Sequence, residues 1–305
     1  MAGKIYAVTG ATGLVGKRLC KRLIERGDQV LILSRDPQAA KKKIPQAAGY
    51  LFFSPNQPLE SQALEGITGV IHLAGAPLFG KRWDDAYKQE IMASRVQGTE
   101  RIITALGQLQ NKPEVLVCAS AVGYYGARDN TPLTEEASPG NDFLSQVCLA
   151  WEAAAAKVSA LGIRRVSTRF GIVMDANEGA LAQMLPPFQA FGGGPLGTGT
   201  QWFSWVHAED VVGIIVWALD NPQVEGAVNA TAPNPLQMAD FCRTLGEVIQ
   251  RPSWLPVPKF VLELLLGEAA QVLVEGQKVI PQKAMQGGYT FLYPTAERAL
   301  KNLLG

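Results

Sequence analysis

The sequence predicts an α/β fold, a doubly wound parallel sheet with a smaller, mainly helical cap toward the C-terminus. Three observations predict it. Short, continuously apolar runs alternate with helix-compatible stretches; a glycine-rich turn separates the first run from the first helix; and after Phe170 the chain turns to proline and glycine and then to helical patterning. Parallel strands covered on both faces read as unbroken apolar runs, and helices between them keep one solvated face.

The elements follow in order. Ile5-Tyr-Ala-Val8 is the first strand, Lys17 to Arg26 a helix whose Arg18, Lys21, Arg22 and Glu25 mark the wet face, Gly27 its stop, and Gln29 to Leu33 the second strand, which together make a βαβ unit. Further strands are expected at Gly69 to Leu73, Val115 to Cys118 and Arg165 to Thr168, with long helices around Asp84 to Leu106 and Ser145 to Leu161. Such alternation gives a parallel sheet joined by right-handed crossovers. Pro186-Pro187 and the loop Phe191 to Thr200, whose glycines allow close approach of backbone to a ligand, break the pattern, and the chain is helical in texture from Ala239 onward. The expected division is a sheet domain of residues 1–175, rejoined by 202–232, and a cap of 176–201 and 233–305. No fixed-period repeat is present.

Composition narrows the class. The 305 residues carry 28 Lys+Arg against 27 Asp+Glu, a net charge of +1, which argues against nucleic-acid or anionic-membrane binding. With 47% hydrophobic residues the chain has material for a large core. Its longest apolar runs, such as Val211 to Leu219, fall well short of the roughly 20 residues that span a bilayer. Cys20, Cys118, Cys148 and Cys242 form no C-x-x-C pair, and His72 and His207 no metal spacing, so neither a metal site nor a disulfide framework is expected. The N-terminus carries no secretory pattern, and a cytoplasmic location is the expectation.

Gly10-Ala-Thr-Gly13-Leu-Val-Gly16 lies between the first strand and the first helix. That spacing lets the chain turn sharply, bring backbone N–H groups against a pyrophosphate and pack the helix on the sheet, as in dinucleotide-binding Rossmann units. The second strand ends in Ser34-Arg35, and a guanidinium there suits the 2′-phosphate of NADP (NADPH); Asp36 follows and keeps NAD open.

Further motifs extend this reading: Ile71-His-Leu-Ala-Gly75, Arg82-Trp83, Gln89-Glu-Ile91 with Ser94-Arg95, Ser120-Ala-Val-Gly-Tyr-Tyr-Gly126, Trp151-Glu152, Trp202-Phe-Ser-Trp-Val-His207, and the C-terminal Leu266-Gly-Glu-Ala, Gln277-Lys-Val-Ile-Pro281 and Gly288-Tyr-Thr-Phe291. With the glycine turn they resemble, over nearly the whole chain, the atypical, extended, NAD-dependent epimerase-like branch of the short-chain dehydrogenase/reductase superfamily, family 39U. The resemblance implies that Gly10, Thr12, Gly13, Leu14, Val15 and Gly16 hold a pyrophosphate, Ser34 and Arg35 an adenosine phosphate, and Leu73, Ala74 and Gly75 line the cofactor. It also brings Glu90, Arg95 and Glu152 near the cofactor, although each could equally be a solvated charge.

Active members of the superfamily use a Tyr, a Lys four residues later and a Ser or Thr for proton transfer. Counting back from Glu152, the Lys position falls on Cys148 and the Tyr position on Leu144, neither of which performs that step. The substitutes are Ser120 at a strand end and Tyr124 or Tyr125 in the loop beyond it, with Arg128 the nearest cation in sequence. His207 either caps the following helix or faces the substrate cleft, and His72 is read as structural or cofactor-side. Two functions remain: an NADP-dependent oxidoreductase or epimerase acting on a small polar or sugar-like substrate, or a non-catalytic NADP-binding regulatory protein, since some relatives carry a cell-division-inhibitor label. Self-association as a homodimer is left open.

Overall fold

The computed structural model describes residues 3–305. In chain order the elements are β1 (Ile5–Thr9), α1 (Leu14–Glu25), β2 (Gln29–Ser34), α2 (Pro37–Lys43), β3 (Gly49–Phe52), β4 (Gly69–His72), α3 (Asp85–Gln108), β5 (Val115–Ala121), α4 (Phe143–Ala156), β6 (Arg164–Phe170), β7 (Ile172–Met174) and α5 (Gly179–Gln189). They continue as β8 (Trp202–Phe203), β9 (Trp205–His207), α6 (Ala208–Asp220), β10 (Gly226–Ala230), β11 (Leu236–Gln237), α7 (Met238–Ile249), α8 (Lys259–Leu266), α9 (Gln271–Val274), α10 (Gln282–Gln286) and α11 (Ala296–Leu304).

Seven strands form one parallel sheet in the order β10-β6-β5-β4-β1-β2-β3. The order reverses between β1 and β4, whose register pairs Thr9 with His72, so the carboxyl ends of these two strands frame the crevice where open α/β sheets take ligands. One face of the sheet is covered by α1 and α6 through Leu19, Leu23, Val211 and Ile215, the other by α3 and α4 through Ile102, Leu106, Trp151 and Ala155. Capping fixes where these helices begin: Asp84 and Asp142 accept from the N–H groups of Tyr87 and Ser145, three residues on.

A separate core of Leu181, Phe188, Phe203, Trp205, Phe241, Leu245 and Leu300 gathers α5, α7 and α11 beyond the sheet's carboxyl edge. It is tied to the sheet domain through buried Asp210, near the start of α6, which accepts from Tyr289 Oη (3.0 Å) and from the N–H groups of Leu292 (2.8 Å) and Tyr293 (2.9 Å). The glycines of the loop before β8 do not reach a ligand site. A Cβ on Gly194 would run into the Leu255 backbone, and Leu255 N–H donates to Gly193 O (3.1 Å), so the close approach they allow is to the chain's own segment.

Candidate functional site

Two adjoining cavities open along the carboxyl edge of the sheet, and Leu73 lines both. The first is a groove of about 340 Å³ over β1, β2 and β4. Its floor is the turn after β1, where Gly10 has φ +67° and a Cβ would stand 2.8 Å from the Leu73 carbonyl carbon. A Cβ on Gly16 would likewise strike Gly10 O, so the turn and α1 close up only without side chains at both positions. Gly13 caps α1 without a side-chain hydrogen bond and no acidic residue stands in the first turn. The free amides and positive dipole end of α1 therefore face the groove uncompensated, which fits an anion such as a diphosphate.

Thr9 fixes the opposite wall. Its Oγ1 accepts from the N–H groups of Leu73 and Ala74, each at 3.1 Å, and so donates its own proton to His72 Nδ1 at 2.7 Å. This puts the ring proton of His72 on Nε2, which is buried without a partner. Burial, with the charge of Arg95, lowers the His72 pKa to about 3, so the ring is neutral and structural. Ser94 of α3 accepts from Ala76 N–H (3.0 Å) and shapes the loop after β4.

Of the residues expected near a cofactor, Gly10, Thr12, Gly13, Ser34, Arg35, Leu73, Ala74, Gly75 and Glu90 line this groove. Leu14, Val15 and Gly16 form the first turn of α1 behind it. Arg35 is exposed and bridges to no carboxylate among the described residues, whereas Asp36 is engaged as the N-cap of α2, accepting from Ala39 N–H at 2.9 Å. Arg95 lines the second cavity where it meets the groove, its guanidinium packed against Gly75 and donating to Ala76 O at 3.1 Å, and Glu152 lines neither cavity.

The second cavity, about 380 Å³, lies between the ends of β4 and β5, the start of α4, residues 170–173 and 201–204, and the segment 271–277. Trp83, Trp151, Phe170, Trp202 and Phe203 give it aromatic walls, and Leu144 and Cys148 line it as well. Burial, aided by the Glu152 charge, pushes the Cys148 thiol up to about 11, so it is a neutral group.

Ser120 lines this cavity and donates its proton to Glu152 Oε1 at 2.7 Å. Glu152 in turn grips Arg169 of β6 with both oxygens, at 2.8 Å each, and Arg169 donates to Tyr125 Oη (2.8 Å) and to Glu135 O (3.2 Å). The Arg169 guanidinium also lies 3.5 Å from the ring centroid of Tyr124. Tyr125 is fully buried and donates to Asn229 Oδ1 at 2.7 Å; burial raises its pKa to about 12. Neither Tyr124 nor Tyr125 lines the cavity: both serve the Arg169 ion pair, and Arg128 is occupied by the carbonyls of Tyr125, Ser138 and Pro139. His207 caps α6 by accepting from Glu209 N–H and stacks on Tyr293 at 3.9 Å, away from the cavity.

Sequence reasoning passed over Arg169, Glu135 and Gln201. The first carried a signal, because a charge inside the run Val166-Ser-Thr-Arg169-Phe of a buried strand needs a partner.

A nucleotide groove at a sheet's switch point, a second cavity beside it and a C-terminal helical extension describe a known arrangement. Residues 6–230 match the NAD dependent epimerase/dehydratase family. The chain belongs to that family. Residues 257–303 match a further domain of unknown function, DUF1731, which covers α8 to α11. The chain is 41% identical over 300 residues to the chloroplastic homolog of epimerase family protein SDR39U1 from Arabidopsis thaliana, covering 98% of this chain and 86% of that protein. It is 39% identical over 299 residues to epimerase family protein YfhF of Bacillus subtilis, covering 98% and 97%. The crystal structure of human epimerase family protein SDR39U1 with NADPH superposes with a TM-score of 0.89 at 30% identity, over 98% of each chain. The seven-stranded Rossmann sheet and its helical C-terminal region are thus those of an extended short-chain dehydrogenase/reductase of the epimerase type.

Proposed function

We propose that this protein is an NADP(H)-binding, epimerase-like oxidoreductase that exchanges hydride between the nicotinamide and a small molecule in the second cavity. The observation that carries the reading is the junction at Leu73, which lines both the groove running from Arg35 past the turn after β1 and the second cavity, so a dinucleotide held in the groove would stand beside that cavity. Gly10, Thr12, Gly13, Leu73, Ala74 and Gly75 would hold the cofactor, which supplies a hydride when bound. NADP is favoured over NAD because the unpaired Arg35 faces the groove while the Asp36 carboxylate caps α2, and the related human protein was solved with NADPH.

The chain's own contribution is positioning. Ser120 gives its proton to Glu152, so toward the cavity it offers lone pairs, and it would orient a substrate by accepting from a hydroxyl. Four buried free thiols suit a reducing compartment, and we place the activity in the cytoplasm.

A second reading, a regulatory protein that binds NADP(H) without turnover, is favoured by Leu144 and Cys148 on the cavity wall and by the engagement of Tyr124 and Tyr125 with Arg169. One experiment separates the two. NADPH binding is measured by calorimetry, and NADPH oxidation is then followed by absorbance against a panel of ketones, aldehydes and sugars. Turnover that falls sharply in Ser120→Ala supports the oxidoreductase; tight NADPH binding with no turnover across the panel supports the regulatory reading; no binding of NADPH or NADH overturns both.

A further inference from the structure

We infer that the second cavity takes a neutral, largely apolar alcohol, its hydroxyl on Ser120 and its body between the aromatic walls, in place of a sugar nucleotide or a carboxylate. The inference rests on the reading that a nicotinamide cofactor binds in the adjoining groove.

Arg95 is the one cation among the described residues that line the cavity, and it stands at the groove end. Its guanidinium packs against Gly75 and donates to Ala76 O (3.1 Å) and Ile91 O (3.0 Å). The rest of the lining carries two carboxylates, the half-buried Asp142 and the exposed Glu275, and neither bridges to a cation among the described residues. The Cys148 thiol is neutral. A diphosphate or a carboxylate entering here would give up its water, find no counter-ion on the substrate side and face charges of its own sign.

The uncharged polar side chains are largely occupied within the chain. Ser204 Oγ donates to Gln277 O and accepts from Val279 N–H, and Gln277 Nε2 donates to Val122 O. Gln201 Nε2 donates to Leu196 O and Leu273 O, and its Oε1 has no surface open to the cavity. Gln271 is exposed to solvent. Ser120 remains. Its proton goes to Glu152 Oε1 at 2.7 Å, so it presents lone pairs, which accept from a hydroxyl and have nothing to give an anion. Around it the surface is apolar, since Leu144 and Cys148 stand where proton-transfer groups are expected and Val147, Met238 and the aromatic side chains continue the wall. One hydroxyl on an apolar body meets every one of these conditions. The many hydroxyls of a sugar do not, because most would be buried without partners.

The test uses calorimetry on the full-length protein saturated with NADPH, where an alcohol has no hydride acceptor and binding is read without turnover. The probes are phenylpropanol, cyclohexylpropanol and naphthylpropanol, the propanoate of matching skeleton for each, and UDP-glucose. At least one alcohol should bind, and about tenfold or more tightly than its acid, as expected when a charge is desolvated without a counter-ion; UDP-glucose should not bind. In Asp142→Asn/Glu275→Gln, which keeps a capping side chain on α4, the gap between alcohol and acid should narrow by about threefold, the size of an effect from partly exposed charges, with NADPH affinity unchanged. Failure of all three alcohols to bind, an acid that binds as tightly as its alcohol, or UDP-glucose binding in preference to them overturns the inference. So does an unchanged gap in the double variant, since the ligand would then lie away from these carboxylates. If the variant does not fold, the alcohol-to-acid ratio of the unaltered protein decides. NADPH binding without the alcohol preference removes this inference alone, whereas failure to bind NADPH removes the reading beneath it.

Discussion

Replacing Glu152 by Gln tests the buried hub most directly, because it keeps the volume and removes the charge. Arg169 and Glu152 have side chains only 4% and 10% exposed, and both carboxylate oxygens are engaged. In Glu152→Gln the guanidinium keeps its charge, loses one acceptor and meets an N–H group where the second oxygen stood. Breaking one side of a buried pair costs about 3–5 kcal/mol, since the remaining charge stays desolvated. With a urea slope of about 3 kcal/mol/M the midpoint should fall by about 1–2 M at unchanged slope. Adding Arg169→Met should restore part of the loss, because an apolar side chain needs no counter-ion. A loss below about 1 kcal/mol, the size of an exposed pair, would refute the argument that the hub is dry and mutually dependent.

Three further outcomes are expected. Arg35→Ala should weaken NADPH binding by about tenfold or more and leave NADH nearly unchanged, as measured by fluorescence titration; equal effects on both would remove the phosphate role. His72 has a folded pKa of about 3, below its unfolded value, so it contributes stability in full above about pH 6.5 and loses it as pH falls toward 3. Urea melts should therefore show the unaltered protein losing about 1.4 kcal/mol per pH unit more than His72→Asn between pH 6 and 4, and parallel curves would contradict the assignment. Asp210→Ala leaves the Leu292 and Tyr293 N–H groups without their acceptor, and hydrogen exchange across residues 288–305 should accelerate ahead of global unfolding; unchanged protection there would show that the carboxylate does not hold the C-terminal segment.

The elements legible in the sequence are those whose burial leaves a pattern. Val30, Ile32, Val115 and Val117 are all 1% exposed or less, and their strands stand out as apolar runs. The edge strand β3, Gly49-Tyr-Leu-Phe52, escaped because it pairs only with β2 and shows Phe52 half to solvent, so it carries no buried run. The helix α2 was missed for the opposite reason, its Asp36-Pro37 start being a good cap on a segment of only seven residues with one buried side chain. Helix starts were displaced by a few residues, α4 beginning at Phe143 rather than Ser145, because Asp142 sets the start through a cap and not through periodicity.

The groove was legible because its floor is the turn after β1 and the end of β2, where three regularly spaced glycines and one strand end mark the phosphate side, although Leu73 to Pro77, Glu90 and Ser94 complete its wall. The second cavity was not, since its walls arrive from β4, α4, residues 201–204 and 271–277, which nothing in the linear order brings together. Tyr124 and Tyr125 show the limit most clearly. A phenol at the carboxyl edge of a sheet has the right chemistry for proton transfer, but residue type does not say which way a ring turns. Here the deciding fact is Arg169, a charge on a fully covered strand that must be neutralised from within. Glu152, Tyr125 and the Tyr124 ring all meet that demand, and it leaves Ser120 as the one of the three expected catalytic hydroxyls that still lines the cavity.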